Sequence, residues 1–335
     1  MQLNHGYDEL SSDWVKDLND AIPKGSRVVV VCSRGGIERG ILDSIHRAIV
    51  QSEITTEICA SENPDLTFLQ GIFEPVAKLS IDYIVAVGGG SVLDTAKAIK
   101  LFFSVKDWGD FQHQAEYGVT SKPNGCRIIA VPTTAGSGSE VTPFATLWDR
   151  QESKKLSIDA PWLLPNTPIV DPMLLATLSG DKLLYPALDA ISHSVESLWS
   201  KRKTPESREY ALNALSFSEN AIASFKNGAP DLAQFALAGT HAGRAIAMSR
   251  TALAHSISYP LTLTYGIPHG LACSFTLGEI FSLVNKYGVI DEKEVHQIGK
   301  ILDSLRPLNI GSRIREYCTI DEVLALIPRM STSGR

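Results

Sequence analysis

The sequence predicts an α/β N-terminal domain built on a parallel sheet, followed by an all-α C-terminal domain. Three observations carry this reading. Short β-branched runs alternate with helical patterns through the first half, a proline-rich segment at 165–172 closes the alternation, and helical periodicity alone follows it. A chain of 335 residues also exceeds what one small core needs, which argues for two domains. The boundary is placed after the prolines, giving 1–172 and 173–335.

The elements follow in order. RVVVVC (27–32) reads as a buried strand, with a helix near 37–51, and ITTEIC (54–59) as a second strand, with a helix near 65–80. DYIVAVGGG (82–90) is a third strand ending in glycines and handing over to the helix SVLDTAKAIKLFF, and RIIAVP (127–132) is a fourth. PNTPIVDP (165–172) reads as the hinge, its prolines ending the last strand. Helices are then expected at about 181–203, 205–225, 230–264, 269–286, 290–304 and 320–329, separated by Pro, Gly or Asn.

Bulk properties narrow the function. The 44% hydrophobic and 20% charged content is that of a soluble globular protein, and a net charge of −6 without a Lys/Arg block argues against a nucleic-acid partner. Five scattered cysteines (Cys32, Cys59, Cys126, Cys273, Cys318) form no CxxC pair and read as reduced, mostly packed thiols. MQLNHGYDEL lacks the regions of a signal peptide, and no run approaches the ~18 apolar residues of a membrane span. A cytoplasmic location is expected.

Four residues stand out chemically. Asp189 and His193 lie four apart in PALDAISHSVESLW, so a helix would point both from one face. His255 and His269 lie fourteen residues apart, a spacing that one loop between two helices could close. One carboxylate and three imidazoles suit Fe(II), Zn(II) or a similar first-row ion. The plain alternative for each histidine is a satisfied core side chain. Glu196, one turn after His193, could orient a ligand or face water.

Two glycine-rich loops point to a nucleotide. GGGS (88–91) lies where a strand meets a helix, so Gly89, Gly90, Ser91 and the first helical N–H groups could face a pyrophosphate. It is neither GxGxxG nor a Walker A loop, and a tight packing turn is the competing explanation. PTTAGSGSE (132–140) follows a strand directly, and Thr133, Thr134 and Ser137 could donate to phosphate, ribose or a nicotinamide amide.

These segments together resemble the iron-containing (group III) alcohol dehydrogenase family over essentially the whole chain. GGGSVLDTAKAIK resembles its GGGSxxDxAK motif, PTTAGSGSEVTPFATLWD its TTAGTGSEVT segment, DAISHSVES its DAxxHxxE helix and GIPHGLA its IPHG motif. The resemblance implies the dehydroquinate synthase-like fold of that family, with a dinucleotide-binding domain and a helical metal- and substrate-binding domain. It implies metal ligation by Asp189, His193, His255 and His269. It further implies cofactor binding by Gly89, Gly90, Ser91 and Asp94, with Thr133 and Thr134 along the cofactor and Lys155 near its ribose. A homodimer is the family's default.

Departures from the pattern are informative. Where many members have a second histidine in HxxxHPLG, placed beside the substrate and in a proton path, this chain has HSISYPLT, so Tyr259 stands there. The proton could come from water, a ribose hydroxyl or Tyr259, and a packed tyrosine with its hydroxyl capped by a carbonyl is the equal alternative. Where members strict for NAD often carry Asp, Ser33 is followed by Arg34, with Arg39 nearby, so NADPH is accepted as well as NADH. Asp189 separates the chain from the metal-free maleylacetate reductases, which carry Asn there. Both ends look short beside typical members. SYPLT…YGIPHG, with ALAH before it, resembles the branch that reduces phosphonoacetaldehyde to 2-hydroxyethylphosphonate.

The expected activity is therefore metal-dependent, NAD(P)H-linked reduction of an aldehyde to a primary alcohol. Its substrate is a small molecule that can bear a phosphonate. Arg244, Arg250, Lys201 and Arg202 are candidate anion contacts, and Thr262 and Thr264 candidate hydroxyl donors. The cluster SKRKTPESRE (200–209) could attract an anionic substrate, but a solvated helix junction is the favoured reading. Rival readings are a general primary-alcohol, 1,3-propanediol or sulfoacetaldehyde reductase, a lyase of the dehydroquinate synthase type, and a non-catalytic metal- or nucleotide-binding protein on the same scaffold.

Overall fold

A computed structural model describes residues 10–123, 125–152 and 154–330. The chain divides into two compact units. Among the described residues, one holds 10–134 together with 139–174, the other 135–138 with 175–330.

The first unit is built on a five-stranded sheet of order β2-β1-β3-β4-β7. Its strands are β1 (Arg27–Ser33), β2 (Glu53–Ala60), β3 (Tyr83–Gly88), β4 (Arg127–Pro132) and β7 (Thr167–Pro168), and every neighbouring pair is parallel. The expected parallel sheet is present, and its near-continuous Val/Ile runs are explained by burial on both faces. Period-two alternation sorts the side chains. Val28, Val30, Val85, Val87, Ile129 and Val131 pack toward Trp14 and Leu18 of α1 (Trp14–Ala21) and Ile41 and Ile45 of α3 (Ile41–Ala48). Val29, Val31, Ile84, Ala86 and Ile128 pack toward Leu69 and Phe73 of α4 (Leu66–Ala77) and Leu93 and Ile99 of α5 (Gly90–Phe102).

Several elements differ from the sequence reading. The helix expected at 37–51 is a short α2 (Arg34–Glu38) and then α3, because Gly40 at φ 76° interrupts it. The α1 helix and α6 (Trp108–Tyr117) were not foreseen, nor was the antiparallel hairpin of β5 (Phe144–Asp149) and β6 (Lys154–Asp159).

The second unit is helical, in agreement with the expectation. Its α7 (Asp181–Trp199) is buried along nearly its whole length and packs with α8 (Pro205–Lys226) and α9 (Leu232–Ser249). The single helix expected over 230–264 is two, α9 and α10 (Leu253–Tyr265), since Arg250 takes φ 64° at the α9 C-terminus and turns the chain. Likewise 269–286 divides into α11 (His269–Ser274) and α12 (Leu277–Lys286). The buried Glu294 of α13 (Glu292–Leu305) accepts from Lys203 and Arg208, tying α13 to the start of α8. The remaining helices are α14 (Ile310–Ile314), α15 (Ile320–Ala325) and α16 (Ile327–Met330). No described helix is long and apolar enough to cross a membrane.

Gly138 shows how closely this unit is packed. It has φ +61°, and a Cβ there would lie 2.2 Å from the Gly243 Cα of α9. Both the left-handed backbone and the contact demand glycine. Replacing Gly138 by Ala should therefore cost about 2–4 kcal/mol, read as a lower midpoint for thermal unfolding of the helical unit.

Candidate metal and nucleotide sites

The helical unit brings the predicted ligands together. On α7, Asp189, His193 and Glu196 follow at i, i+4 and i+7 and share a face. His255 stands in the first turn of α10, and His269 opens α11. Gly270 lets α11 approach: a Cβ there would fall 1.9 Å from the Tyr185 carbonyl oxygen of α7. The next-door His269 ring thereby reaches Asp189.

Three imidazole nitrogens surround one carboxylate oxygen. Asp189 Oδ1 lies 3.3 Å from His255 Nε2, 3.5 Å from His193 Nε2 and 3.8 Å from His269 Nε2. Ligand atoms held tetrahedrally at 2.0–2.2 Å from one ion are separated by about 3.4 Å. Asp189 Oδ1 and His255 Nε2 are also buried without a hydrogen-bond partner, as is His193 Nδ1. Buried polar atoms of this kind normally find a partner. The residues fit a divalent ion.

Glu196 sets the geometry from behind. Its side chain is fully buried and accepts from His255 Nδ1 (2.6 Å), Ala252 N (2.9 Å) and Ala254 N (2.5 Å). With Nδ1–H committed to Glu196, Nε2 is the atom left to meet an ion. Burial raises the Glu196 carboxyl, but His255 and the two backbone donors outweigh it and hold it below its usual range.

The electrostatics of the cluster are divided. Burial dominates at His193 and pushes it down to about 4. At His269 burial is overcome by Cys273 and Asp189, which lift it to about 9. His255 is likewise raised, against burial, by Cys273 and Glu196. Asp189 is lowered, because His193 and His269 together overcome its burial. These shifts leave Asp189 anionic and His193 neutral, the forms ligation requires, and keep His255 and His269 protonated, so ion binding would release their protons.

Two aromatic and sulfur neighbours complete it. Tyr259 stacks nearly parallel to His269, with ring centroids 5.7 Å apart, and meets His255 edge-on at 6.4 Å. Cys273, read from sequence as a packed thiol, is packed but against the cluster: Sγ lies 3.6 Å from His269 Nε2. The i+4 spacing from His269 in HGLAC was the available signal.

In the first unit, Gly89 is the N-cap of α5 and no side chain caps that end. A Cβ on Gly89 would crowd Thr134 Oγ1 at 3.1 Å, so the glycine keeps the backbone open there. The N–H groups of Gly90 and Ser91 at this helix start suit a pyrophosphate. Asp94 points elsewhere. Its oxygens accept from Ser139 Oγ (2.6 Å) and Thr146 N (2.9 Å), while Lys97 Nζ donates to Ser139 Oγ (2.7 Å) and the Phe144 carbonyl (2.8 Å). Burial pulls Lys97 down to about 8.

The other predicted positions are placed as follows. Ser33 caps α2 by accepting from Gly36 N, and Arg34 is exposed and paired with Glu38. Thr133 is buried and its N–H donates to the Gly88 carbonyl. Ser137 is half-buried in the 135–138 segment, and Lys155 lies on β6 opposite Trp148. Among the basic candidates, Arg244 is buried and donates to Tyr210 Oη (3.0 Å), whereas Lys201 and Arg202 are exposed. Arg250 is half-buried at the end of α9, Thr262 Oγ1 is buried without a partner, and Thr264 Oγ1 accepts from Arg329.

Comparison with known proteins bears on both sites. Residues 11–172 match the family profile described as iron-containing alcohol dehydrogenase, and residues 184–334 match that of the Fe-containing alcohol dehydrogenase family, C-terminal. A phosphonoacetaldehyde reductase of Streptomyces viridochromogenes is 40% identical over 257 residues, 71% of this chain and 64% of that protein. An aldehyde-alcohol dehydrogenase of Streptococcus pneumoniae is 30% identical over 260 residues, 73% of this chain and 29% of that protein. The chain thus spans less than two thirds of the length of either relative. The solved sulfoacetaldehyde reductase of Bifidobacterium kashiwanohense in complex with NAD+ is 26% identical, with a TM-score of 0.80 over 95% of this chain and 88% of that one.

Because Glu196 orients His255, Glu196→Gln should leave the four ligands in place yet weaken metal binding by about 10–100-fold. Competition with a chromophoric chelator measures this directly. Unchanged affinity would show that the carboxylate only buries charge.

Proposed function

We propose, from the premise that the chain belongs to the iron-containing alcohol dehydrogenase family, that it catalyses metal-dependent, NAD(P)H-linked reduction of an aldehyde to a primary alcohol. The observation that carries this is the meeting of three imidazole nitrogens around Asp189 Oδ1. Balance requires one hydride and one proton per aldehyde. A divalent ion, Fe(II) or Zn(II), supplies Lewis acidity toward a carbonyl oxygen, and a reduced nicotinamide supplies the hydride.

The chain's own residues do the rest. Asp189, His193, His255 and His269 hold the ion, and Glu196 keeps His255 Nε2 turned toward it. The backbone N–H groups of Gly89, Gly90 and Ser91 bind the pyrophosphate, with Thr133, Thr134, Ser137 and Lys155 along the cofactor. Ser33 and Arg34 leave room and positive charge for a 2′-phosphate. Tyr259, stacked on His269, passes a proton from its hydroxyl toward the product oxygen. The protein works in the cytoplasm as a homodimer.

The favoured substrate is phosphonoacetaldehyde, giving 2-hydroxyethylphosphonate. The 40% identity to a phosphonoacetaldehyde reductase supports this choice, as does the resemblance of SYPLT…YGIPHG to that branch. Sulfoacetaldehyde is the second reading, favoured by the structural likeness to a sulfoacetaldehyde reductase. Both are two-carbon aldehydes carrying an anion.

The test is a panel of phosphonoacetaldehyde, sulfoacetaldehyde and butanal, assayed by NADH and NADPH oxidation after reloading with Fe(II) or Zn(II). Phosphonoacetaldehyde should show a kcat/KM at least tenfold above butanal, and chelation should abolish turnover. Equal turnover of charged and neutral aldehydes would remove the phosphonate assignment. No turnover of any aldehyde in the loaded protein would remove the reductase reading. Arg34→Ala should raise the KM for NADPH about tenfold and leave that for NADH near its original value.

A further inference from the structure

Cys273 is the sulfur at this cluster, and nothing in the Asp/His chemistry above uses it. The thiol is fully buried on α11, one turn beyond His269. Cys273 Sγ, Asp189, His255 and His269 each offer a ligand atom, all within 4.8 Å of one another. The separation of 3.6 Å between Sγ and His269 Nε2 lies within the span of about 3.1–3.8 Å expected when a sulfur at about 2.3 Å and a nitrogen at about 2.1 Å share a five-coordinate ion. Two buried atoms of the Asp/His site face the same space. Asp189 Oδ1 and His255 Nε2, on residues 7% and 1% exposed, have no hydrogen-bond partner.

We propose that Cys273 is a sulfur ligand of the metal centre, a fifth protein donor to the ion held by Asp189, His193, His255 and His269. The inference rests on the metal-site reading above and adds to it a thiolate donor. Ligation releases the thiol proton as the S–metal bond forms. A mixed N/O/S set favours Zn(II) and Co(II) over Mg(II) and Mn(II), whose preferred donors are oxygen. The remaining cysteines lie outside the cluster: Cys32 on β1, Cys59 on β2, Cys126 just before β4 and Cys318 ahead of α15. They serve as an internal control.

The test loads the full chain, stripped of metal, with Co(II). Wild type should bind one Co(II) and show the sulfur-to-cobalt charge-transfer absorption of the near ultraviolet. Cys273→Ser should still bind one Co(II), lose that absorption and bind Zn(II) about tenfold more weakly. X-ray absorption of the Zn(II)-loaded wild type needs no variant, and should show one sulfur neighbour at about 2.3 Å. One bound ion with no sulfur neighbour in wild type, or an unchanged absorption in Cys273→Ser, overturns the sulfur ligand and leaves the Asp/His site standing. Failure of wild type to bind any ion would overturn both.

Discussion

The buried carboxylate of Glu196 is the interaction on which the metal-binding arrangement depends. A carboxylate with no solvent exposure survives only if its lone pairs are satisfied, and removing its partners would cost about 3–5 kcal/mol. Here the satisfaction comes from Ala252 N, Ala254 N and His255 Nδ1. All three lie at the point where α9 ends and α10 begins, so one charge on α7 both anchors the first turn of α10 and aims its histidine. Because α7 itself carries Asp189 and His193, the same helix supplies two of the proposed ligands and orients a third.

The nucleotide-binding unit uses a similar economy with different residues. In GGGSVLDTAK, the acidic and basic members hold the fold together. Asp94 and Lys97 are engaged by Ser139, Thr146 and the Phe144 carbonyl, binding α5 to the first residues of the hairpin. The glycines leave the helix start open. A motif that reads as a phosphate site is thus in part an open helix start and in part internal scaffold, and the two are separated by one turn of helix.

At the candidate metal site, Tyr259, the departure from the family pattern, and the thiol of Cys273 both lie beside His269. Tyr259 lies flat against its ring and Cys273 lies one helical turn beyond it. His269 is also the most exposed of the three histidines, with a third of its side chain accessible. The buried side, formed by α7 and Glu196, carries the residues of the DAxxHxxE pattern.

Much was legible in the amino-acid order alone. Val/Ile runs marked a doubly buried parallel sheet because neither face meets water, and the i, i+4 spacing of Asp189 and His193 placed both on one helix face. Local pattern could not show where helices break. The 230–264 stretch is periodic throughout, yet Arg250 turns it at φ 64°, and that turn is held by hydrogen bonds to a glutamate more than fifty residues earlier. Nor could it separate the roles within a motif, since Asp94 and Lys97 take their meaning from Ser139 and Thr146, distant in sequence. Cys273 is the sharpest case. By composition it is one scattered thiol among five. Only the packing of α11 against α7, permitted by the missing side chain of Gly270, brings it to the cluster around Asp189.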